Sequence, residues 1–273
     1  MPDDELRNPQ VAELRIALES LGLSTKGQVK VLKERLRKAK KRTQDSAVET
    51  ESNSSESAIE SNASEATEEP VVARKVQQPF DFYCVFDVEA TCREDNVGWK
   101  HEVIEFPVVL VCGRTFETIA EFRSFVRPVL NPVLSDFCTQ LTGITQDQVD
   151  SAPTFPEVLK LFESFLSRYK VKHGRMRFIT DGPWDIRDFV RNQCVYSDIR
   201  RPAYFDTYLD LRRIFTKFYG RKGGKRANLN GMLSLLNMEF EGRQHSGIDD
   251  TRNIAKIAVC LMEKGCVFDS TLR

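Results

Sequence analysis

The stretch YCVFDVEATC, residues 83–92, has the pattern of a buried strand that carries two acids near its end. Alternate residues of a strand share a face, and both faces here stay apolar until two acids appear near the end. This pattern predicts a central strand that is buried on both sides. Asp87 and Glu89 share a face at its C-terminal end, where open α/β sheets bind ligands. Because an unpaired buried charge is costly, the two carboxylates need a positive partner, or else they form a salt bridge at an ordinary strand end.

Outward from this strand, the chain from residue 80 to residue 265 has the pattern of an α/β domain. The predicted strands are 80–89, 102–112, 118–127 and 176–180. The predicted helices are 155–170, 184–195, 207–219, 228–237 and 249–264. Short connections between the first three strands favour an antiparallel meander, whereas the fourth strand lies between helices, as a parallel strand would.

The last predicted helix, in HSGIDDTRNIAKIAVCLMEKG (residues 245–265), adds a third acid and a histidine. Asp250 lies four residues before Ile254 and so extends the apolar stripe toward the sheet. Asp249 falls on the polar face and fits an N-cap. A lone histidine is more often structural, but His245 lies in a glycine-containing loop just before an inward-facing acid. That setting indicates that His245 acts as a general base.

The segment RFITDGPWDIRDFV, residues 177–190, supplies the fourth acid. A strand ends before the Gly-Pro turn, and a helix starts around Trp184. Asp185 lies four residues before Phe189 on the core-facing stripe and points back toward the sheet. Asp181 precedes the turn, where its carboxylate can accept hydrogen bonds from the free backbone N–H groups of the turn. Trp184 either stacks on a terminal base or belongs to the core.

Four carboxylates and one histidine thus converge at one end of the predicted sheet. Oxygen ligands suit hard cations such as Mg²⁺, with Mn²⁺ as a substitute. Two such ions ~3.5–4 Å apart can clamp the attacking and leaving oxygens of a phosphodiester displacement. His245 would deprotonate the attacking water, a role typically worth roughly 10²–10⁴-fold in rate.

Two regions of different composition precede this domain. Residues 5–42 show two short amphipathic helices joined by a glycine-containing turn, and residues 1–42 hold 11 Lys/Arg against 6 Asp/Glu. Residues 43–79 have almost no large apolar side chains, which predicts a disordered acidic linker. A basic head followed by an acidic spacer is typical of partner binding. The run KAKKR at 38–42 could be a nuclear signal or the solvated end of a basic helix.

The cysteines, the apolar runs and a glycine-rich stretch argue against several classes of protein and site. The seven cysteines form no CxxC pair, which favours a reducing compartment and argues against a zinc site. No signal peptide opens the chain, and no apolar run approaches the ~20 residues of a membrane span. The glycine-rich stretch at 218–232 lacks the spacing of a nucleotide P-loop. Its basic residues either lie in a solvated loop or track phosphates; they are Arg221, Lys222, Lys225 and Arg226.

Several of these stretches together resemble the motifs of a known family. Three stretches are similar to the three motifs of the DEDDh 3′→5′ exonucleases, namely FDVEATC, PWDIRDF and HSGIDD. The enzymes of that family have an RNase H-like mixed sheet flanked by helices. Two further stretches, HEVIEFPVV and LSDFCTQLTGITQDQVD, resemble the Eri1-type exoribonucleases within that family. Those enzymes trim histone-mRNA stem-loops, 5.8S rRNA ends and small interfering RNA. ELRIALESLGLSTKGQVKVLKERL resembles the small helical SAP module of those enzymes.

The resemblance implies an exonuclease domain over residues 80–268 and a SAP module over residues 5–42. It implies two Mg²⁺ ions as cofactor, with Mn²⁺ able to substitute. The family's metal-binding acids and general base fall on Asp87, Glu89, Asp185, Asp250 and His245. These are the residues that the patterns select independently.

The same resemblance implies the partners of the chain. The basic turn of the SAP module falls on Lys26, with Lys30 nearby, where such a module helps to hold an RNA stem. The expected partner is RNA, as a stem-loop or a duplex with a 3′ overhang. Ribosomes or a stem-loop-binding protein are further expected partners, and a membrane is not. The expected location is the cytoplasm, the nucleus or the nucleolus.

Two alternatives stay open. SAP modules elsewhere often bind duplex DNA, so the first alternative is a 3′ exonuclease with a DNA or broad preference. The second is a non-catalytic SAP-containing protein that only holds nucleic acid. The presence of all five catalytic residue types argues against the second alternative. No residue pattern singles out a ribose 2′-hydroxyl, so RNA and DNA are both compatible with the sequence.

Overall fold

The computed structural model describes residues 76–220 and 227–269, together with Leu18 and Arg35. The chain divides into two compact units, Met1–Pro70 and Val71–Arg273, and both long described ranges belong to the second. Apart from the two single residues, the predicted SAP module lies outside the described residues, as does nearly all of the predicted linker. The predicted substrate-binding residues outside the described ranges are Lys26, Lys30, Arg221, Lys222, Lys225 and Arg226.

Among the described residues, six strands form one mixed sheet. They are β1 (Phe82–Phe86), β2 (Glu89–Ala90), β3 (Val103–Cys112), β4 (Thr118–Phe125), β5 (Met176–Thr180) and β6 (Tyr208–Asp210). β1 lies between an antiparallel neighbour, β3, and a parallel neighbour, β5. β4 pairs antiparallel with β3, and β6 pairs parallel with β5. The predicted central position of β1, the meander and the parallel fourth strand are confirmed.

The sheet is interrupted between β1 and β2, at Asp87 and Val88. Glu89 keeps the register in which β1 pairs with β3 and lies opposite Glu105, and the register then shifts by one residue at Ala90. The interruption therefore leaves the direction of the chain unchanged and makes the Val88 amide available to a side-chain acceptor. It also places the first two acids together at the C-terminal end of β1.

Helices cover both faces of the sheet. They are α1 (Asp136–Thr142), α2 (Gln146–Asp150), α3 (Phe155–Arg168), a π-helix (Asp185–Val190) that continues into α4 (Arg191–Tyr196), α5 (Leu211–Tyr219), α6 (Leu229–Leu235) and α7 (Gly247–Glu263). α3 and the π-helix bury their apolar sides against the face that carries Cys84 and Phe86. α5, α6 and α7 pack on the opposite face, which carries Tyr83 and Val85. The predicted alternation along β1 is therefore confirmed, and both of its faces are core.

Two predicted helices begin with a different type of secondary structure. Residues 208–210, predicted as the start of a helix, form β6, because Leu209 and its neighbours pair with β5. Asp210 then caps α5, since its Oδ1 accepts the N–H of Arg213 at 3.1 Å. The helix predicted over 184–195 opens as a π-helix. Two short helices, α1 and α2, were not predicted.

All seven cysteines are free, and five of them are buried. No helix within 76–220 or 227–269 has both the length and the apolar character needed to cross a bilayer.

Candidate active site

Three of the predicted metal ligands form a tight cluster at the C-terminal end of β1. One carboxylate oxygen from each of Asp87, Glu89 and Asp250 lies within 4.8 Å of the other two. The end of β1 and the start of β2 supply the first two acids, and the first turn of α7 supplies the third. The apolar stripe of α7, which includes Ile254, holds this helix against the sheet. As predicted, Asp250 continues that stripe and is buried.

Asp185 joins the cluster from the other side of β1. It is the first residue of the π-helix and is 5% exposed. Its Oδ1 accepts the N–H of Val88 at 3.0 Å, which is the amide at the interruption between β1 and β2. This bond ties the π-helix to the strand that carries Asp87 and Glu89. The structure thus places the fourth predicted acid next to Asp87, outside the group of three that lies within 4.8 Å.

His245 lies at a cleft beside the carboxylates. The cleft has a volume of about 300 Å³, and its lining includes His245, Asp87, Asp181 and Asp250. His245 is exposed and has a φ of 61°, in the left-handed region that histidine enters more readily than most residues. The backbone of His245 favours the ionised form of the Asp250 carboxylate, and both residues line this cleft. The loop therefore brings the imidazole and the carboxylate of Asp250 to the same cleft.

Burial and mutual repulsion disfavour the ionised forms of these acids. Burial, followed by the charges of Asp185 and Glu89, holds the pKa of Asp87 well above its usual range. Burial is also the main cause that raises the pKa of Glu89 to about 9. It likewise raises the pKa of Asp185 and of Asp250 to about 7. Carboxylates in such a site ionise together only when a cation compensates their charge.

The donor set fits a divalent metal ion. Carboxylate oxygens are the ligands that hard cations prefer. Arg212 is a cation that lines the cleft, and its Nε and Nη2 donate to Asp181 at 2.8 and 2.6 Å. Within the described ranges, no lysine or arginine side chain forms an ion pair with Asp87, Glu89 or Asp250. A bound cation is therefore the partner that the opening pair of acids requires.

Two acids have partners other than those predicted. Asp249 is not the N-cap of α7, which is Ser246, and its carboxylate pairs with Arg252 at 3.2 Å. Asp181, predicted to accept the turn amides, pairs instead with Arg212. The partner of Asp181 comes from α5, far along the chain, so a rule about local turns could not reveal it.

Arg212 is a cleft residue that the sequence patterns missed. Its guanidinium lies 5.2 Å from the centroid of the Trp184 ring, while Asp181 holds its N–H groups. Trp184 is 45% exposed, so it is not a core residue and its ring is accessible to a ligand. The cleft is also lined by the amide side chains of Asn228, Asn230 and Gln244. Asn228 carries a recognisable signal, but only as the N-cap of α6.

We expect Mg²⁺ to stabilise the protein more at pH 8 than at pH 5.5. Without a cation, a carboxyl whose folded pKa is raised loses stability as the pH rises from its unfolded value, ~4, through the folded value. For Asp185 and Asp250 that window ends at about 7, and for Glu89 it ends at about 9. At a hundredfold excess over Kd, a ligand adds ~2.7 kcal/mol, which is roughly 5–10 °C in Tm for a domain of this size. Thermal melts with Mg²⁺ and with a chelator at both pH values measure this difference. An equal shift at both pH values would contradict the ionised cluster as the binding site.

Comparison with known proteins agrees with this geometry. Residues 84–258 match the model of the exonuclease family RNase_T, over well more than half of the chain. The human 3′-5′ exoribonuclease 1 is 38% identical over 256 residues, which cover 93% of this chain and 66% of that protein. The chain thus spans just under two thirds of the length of that relative.

Solved structures show the same similarity. One describes 3′-end specific recognition of histone mRNA stem-loop by 3′-exonuclease, with a TM-score of 0.66 and 36% identity. It covers 94% of this chain and 81% of that one. Another is the nuclease domain of 3′hExo, a DEDDh family member, bound to rAMP, with a TM-score of 0.64 and 42% identity over 68% of this chain and 94% of that one. The chain therefore belongs to the exonuclease family, as a relative of the DEDDh-type 3′→5′ exoribonucleases.

Proposed function

We propose that this chain is a metal-dependent 3′→5′ exoribonuclease that removes nucleotides one at a time from structured RNA. The observation that carries the proposal is the meeting of Asp87, Glu89 and Asp250 within 4.8 Å. Asp185 is bound to the strand beside them, and His245 lies at the same cleft. Membership of the exonuclease family supports phosphodiester hydrolysis as the reaction of this site.

The four acids would hold the metal, which we propose to be two Mg²⁺ ions with Mn²⁺ as a substitute. When bound, such ions stabilise negative charge on the attacking and leaving oxygens of a phosphodiester. His245 accepts a proton from the attacking water, since its imidazole is a base at the rim of the cleft. The water oxygen forms a bond to phosphorus, the bond from phosphorus to the 3′ oxygen breaks, and the 3′ oxygen takes a proton from solvent water. The products are a 5′-monophosphate and a chain with a new 3′-hydroxyl.

RNA is the proposed substrate because of the relatives, and one exposed ring offers a place for its terminal base. The human relative is named an exoribonuclease, and the solved relatives include a structure on recognition of a histone mRNA stem-loop. Trp184 is positioned next to Asp185 with an accessible ring, and stacking of a base on such a ring is worth ~1–3 kcal/mol. We therefore place the terminal base of the RNA on Trp184, with its scissile phosphate at the carboxylates.

A direct test uses a 3′-labelled stem-loop RNA and a DNA of the same sequence, each with Mg²⁺ and with excess chelator. We expect the label to leave the RNA as a mononucleotide only when the metal is present, and to leave the DNA more slowly. Equal rates on both would favour a nuclease of broad preference. Binding without any release would favour the non-catalytic alternative. Digestion that persists in excess chelator would contradict metal-dependent chemistry.

The basic head, residues 1–42, gives a second expectation. If Lys26, Lys30 and the cluster at 37–42 contact RNA phosphates, removal of this segment should weaken binding to a stem-loop. Each lost phosphate contact should also reduce the slope of log K against log salt by ~0.7–0.9. Binding titrations at several salt concentrations measure both effects. Trimming of a short single strand serves as the control and should change little. An equal loss on both substrates would mean that the head supports folding or catalysis instead.

A further inference from the structure

Glu105 is a buried acid beside the site that the proposed chemistry does not use. It lies in β3 directly opposite Glu89 of β2 and is fully buried. Opposite residues of an antiparallel pair project to the same face, so Glu105 shares the face of the carboxylate cluster. A second buried negative charge at this position opposes the ionisation of Glu89, and its presence requires compensating bonds.

Both oxygens of Glu105 are bonded, each to a different element. Oε1 accepts the Nε–H of Arg123, on β4, at 2.7 Å. Oε2 accepts the N–H of Gly247, the first residue of α7, at 3.1 Å. A free amide at a helix N-terminus is a favourable partner for a carboxylate, because the helix dipole adds to the hydrogen bond. Arg123 compensates the charge of Glu105, and Glu105 in turn anchors the start of α7.

The approach of α7 at this point is close. A Cβ at Gly247 would lie 3.0 Å from the backbone oxygen of Asp87 and 3.0 Å from Oε2 of Glu105. Gly247 is thus packed between the strand that carries the first acid and the side chain of Glu105. His245 lies two residues before this contact and Asp250 three residues after it. The bond from Gly247 to Glu105 therefore lies between the two groups that α7 and its preceding loop bring to the cleft.

We propose that Glu105 is a positioning residue that fixes the N-terminus of α7 against the sheet and so holds Asp250 and His245 in register with Asp87. The expected effect of Glu105 on catalysis rests on the proposed function. The placement of the helix itself does not depend on it. Displacement by ~1 Å of a catalytic group can cost ~10²-fold in rate.

The test compares Glu105→Ala with a matched control, Glu102→Ala. Glu102 is also buried, and its carboxylate accepts two backbone N–H groups, from Val129 at 2.7 Å and from Asn131 at 2.6 Å, in a loop that precedes α1. Both variants lose a buried acid with two bonds. Only Glu105→Ala should speed hydrogen exchange of the amides at 247–250 in metal-free protein, by about tenfold or more for the loss of a hydrogen bond to a charged group. Calorimetric titration should show Mg²⁺ binding weakened by about 10–100-fold, the range for partners of metal ligands.

A second variant separates the hydrogen bond from the charge. Glu105→Gln keeps the shape and an oxygen that can accept the N–H of Gly247, and so should keep most of the protection at 247–250. Loss of protection as complete as in Glu105→Ala would show that Glu105 holds the helix through its charge, which would contradict the assignment of the anchor to the bond with the N–H of Gly247. Equal exchange and Mg²⁺ affinity in Glu105→Ala and Glu102→Ala would also overturn it. Exchange and calorimetry need no turnover, so an inactive wild-type protein would refute the proposed function and leave this inference standing.

Discussion

Asp185→Asn should reduce RNA cleavage below detection while RNA binding survives. The substitution removes a negative charge next to Asp87 but keeps the shape and an oxygen that can still accept the N–H of Val88. The π-helix should therefore stay in place, and only the ability of the acids to hold metal should be lost. Single-turnover cleavage with Mg²⁺, together with a binding titration on the same stem-loop, measures the two properties separately.

The matched control is Asp181→Asn, four residues earlier. Asp181 also lines the cleft, but its carboxylate is used by the bidentate pair with Arg212. Loss of this largely buried pair should cost ~3 kcal/mol of unfolding free energy. Turnover should remain within about 10–100-fold of wild type, the usual cost of changing a partner outside the metal ligands. Near-normal cleavage by the Asp185 variant with a dead Asp181 variant would show that the wrong carboxylate has been assigned.

His245→Asn should slow cleavage by roughly 10²–10⁴-fold, the usual contribution of a general base. Asparagine is the appropriate replacement because it also tolerates the φ of 61° at this position. The backbone conformation of the loop before α7 should therefore be kept. Rate constants from rapid mixing at saturating RNA and Mg²⁺ measure the effect on chemistry, and the apparent affinity for RNA should change little.

His173→Asn is the control for this substitution. His173 is exposed and contacts Glu163 at 3.0 Å, away from the cleft lining. We expect this variant to cleave at the wild-type rate. A wild-type rate from His245→Asn would mean that the attacking water loses its proton without this side chain.

Local periodicity was sufficient to predict the parts of the fold that form the site. The apolar alternation of β1 ends in two acids, and the stripe of α7 includes Asp250, so both patterns show the orientation of these side chains directly. The expectation that Asp185 points back to the sheet is confirmed by its bond to Val88. In each case the apolar partners of the acid are neighbours in sequence.

Short elements were the ones that periodicity could not predict. β6 has three residues, too few for alternation to appear, and its strand conformation depends on pairing with β5. α1 and α2 have seven and five residues. The capping box of Thr145 and Gln148 marks the start of α2 and was present in the sequence as a signal. No comparable pattern distinguishes a π-helix from an α-helix at 185–190.

Contacts between residues that are far apart in sequence were the second feature that local patterns could not predict. Arg212 is 31 residues from Asp181, and Glu105 is 142 residues from Gly247. Each pair depends on which strands and helices become neighbours, and this information is absent from local patterns. An acid within the apolar run of β3 was nevertheless a visible anomaly, since Glu105 is preceded by Ile104 and followed by Phe106. Such a residue is a marker for a buried polar contact that the fold must supply.

The most direct test of the central claim is mass spectrometry of the products from a stem-loop RNA with a free 3′-hydroxyl. With Mg²⁺, we expect nucleoside 5′-monophosphates and a series of RNAs that are shortened by single nucleotides from the 3′ end and carry 3′-hydroxyls. The Asp185→Asn protein, incubated in parallel, should leave the RNA intact. Products that end in a 3′-phosphate or a cyclic phosphate, or internal fragments at the earliest time point, would contradict a metal-dependent 3′→5′ exonuclease.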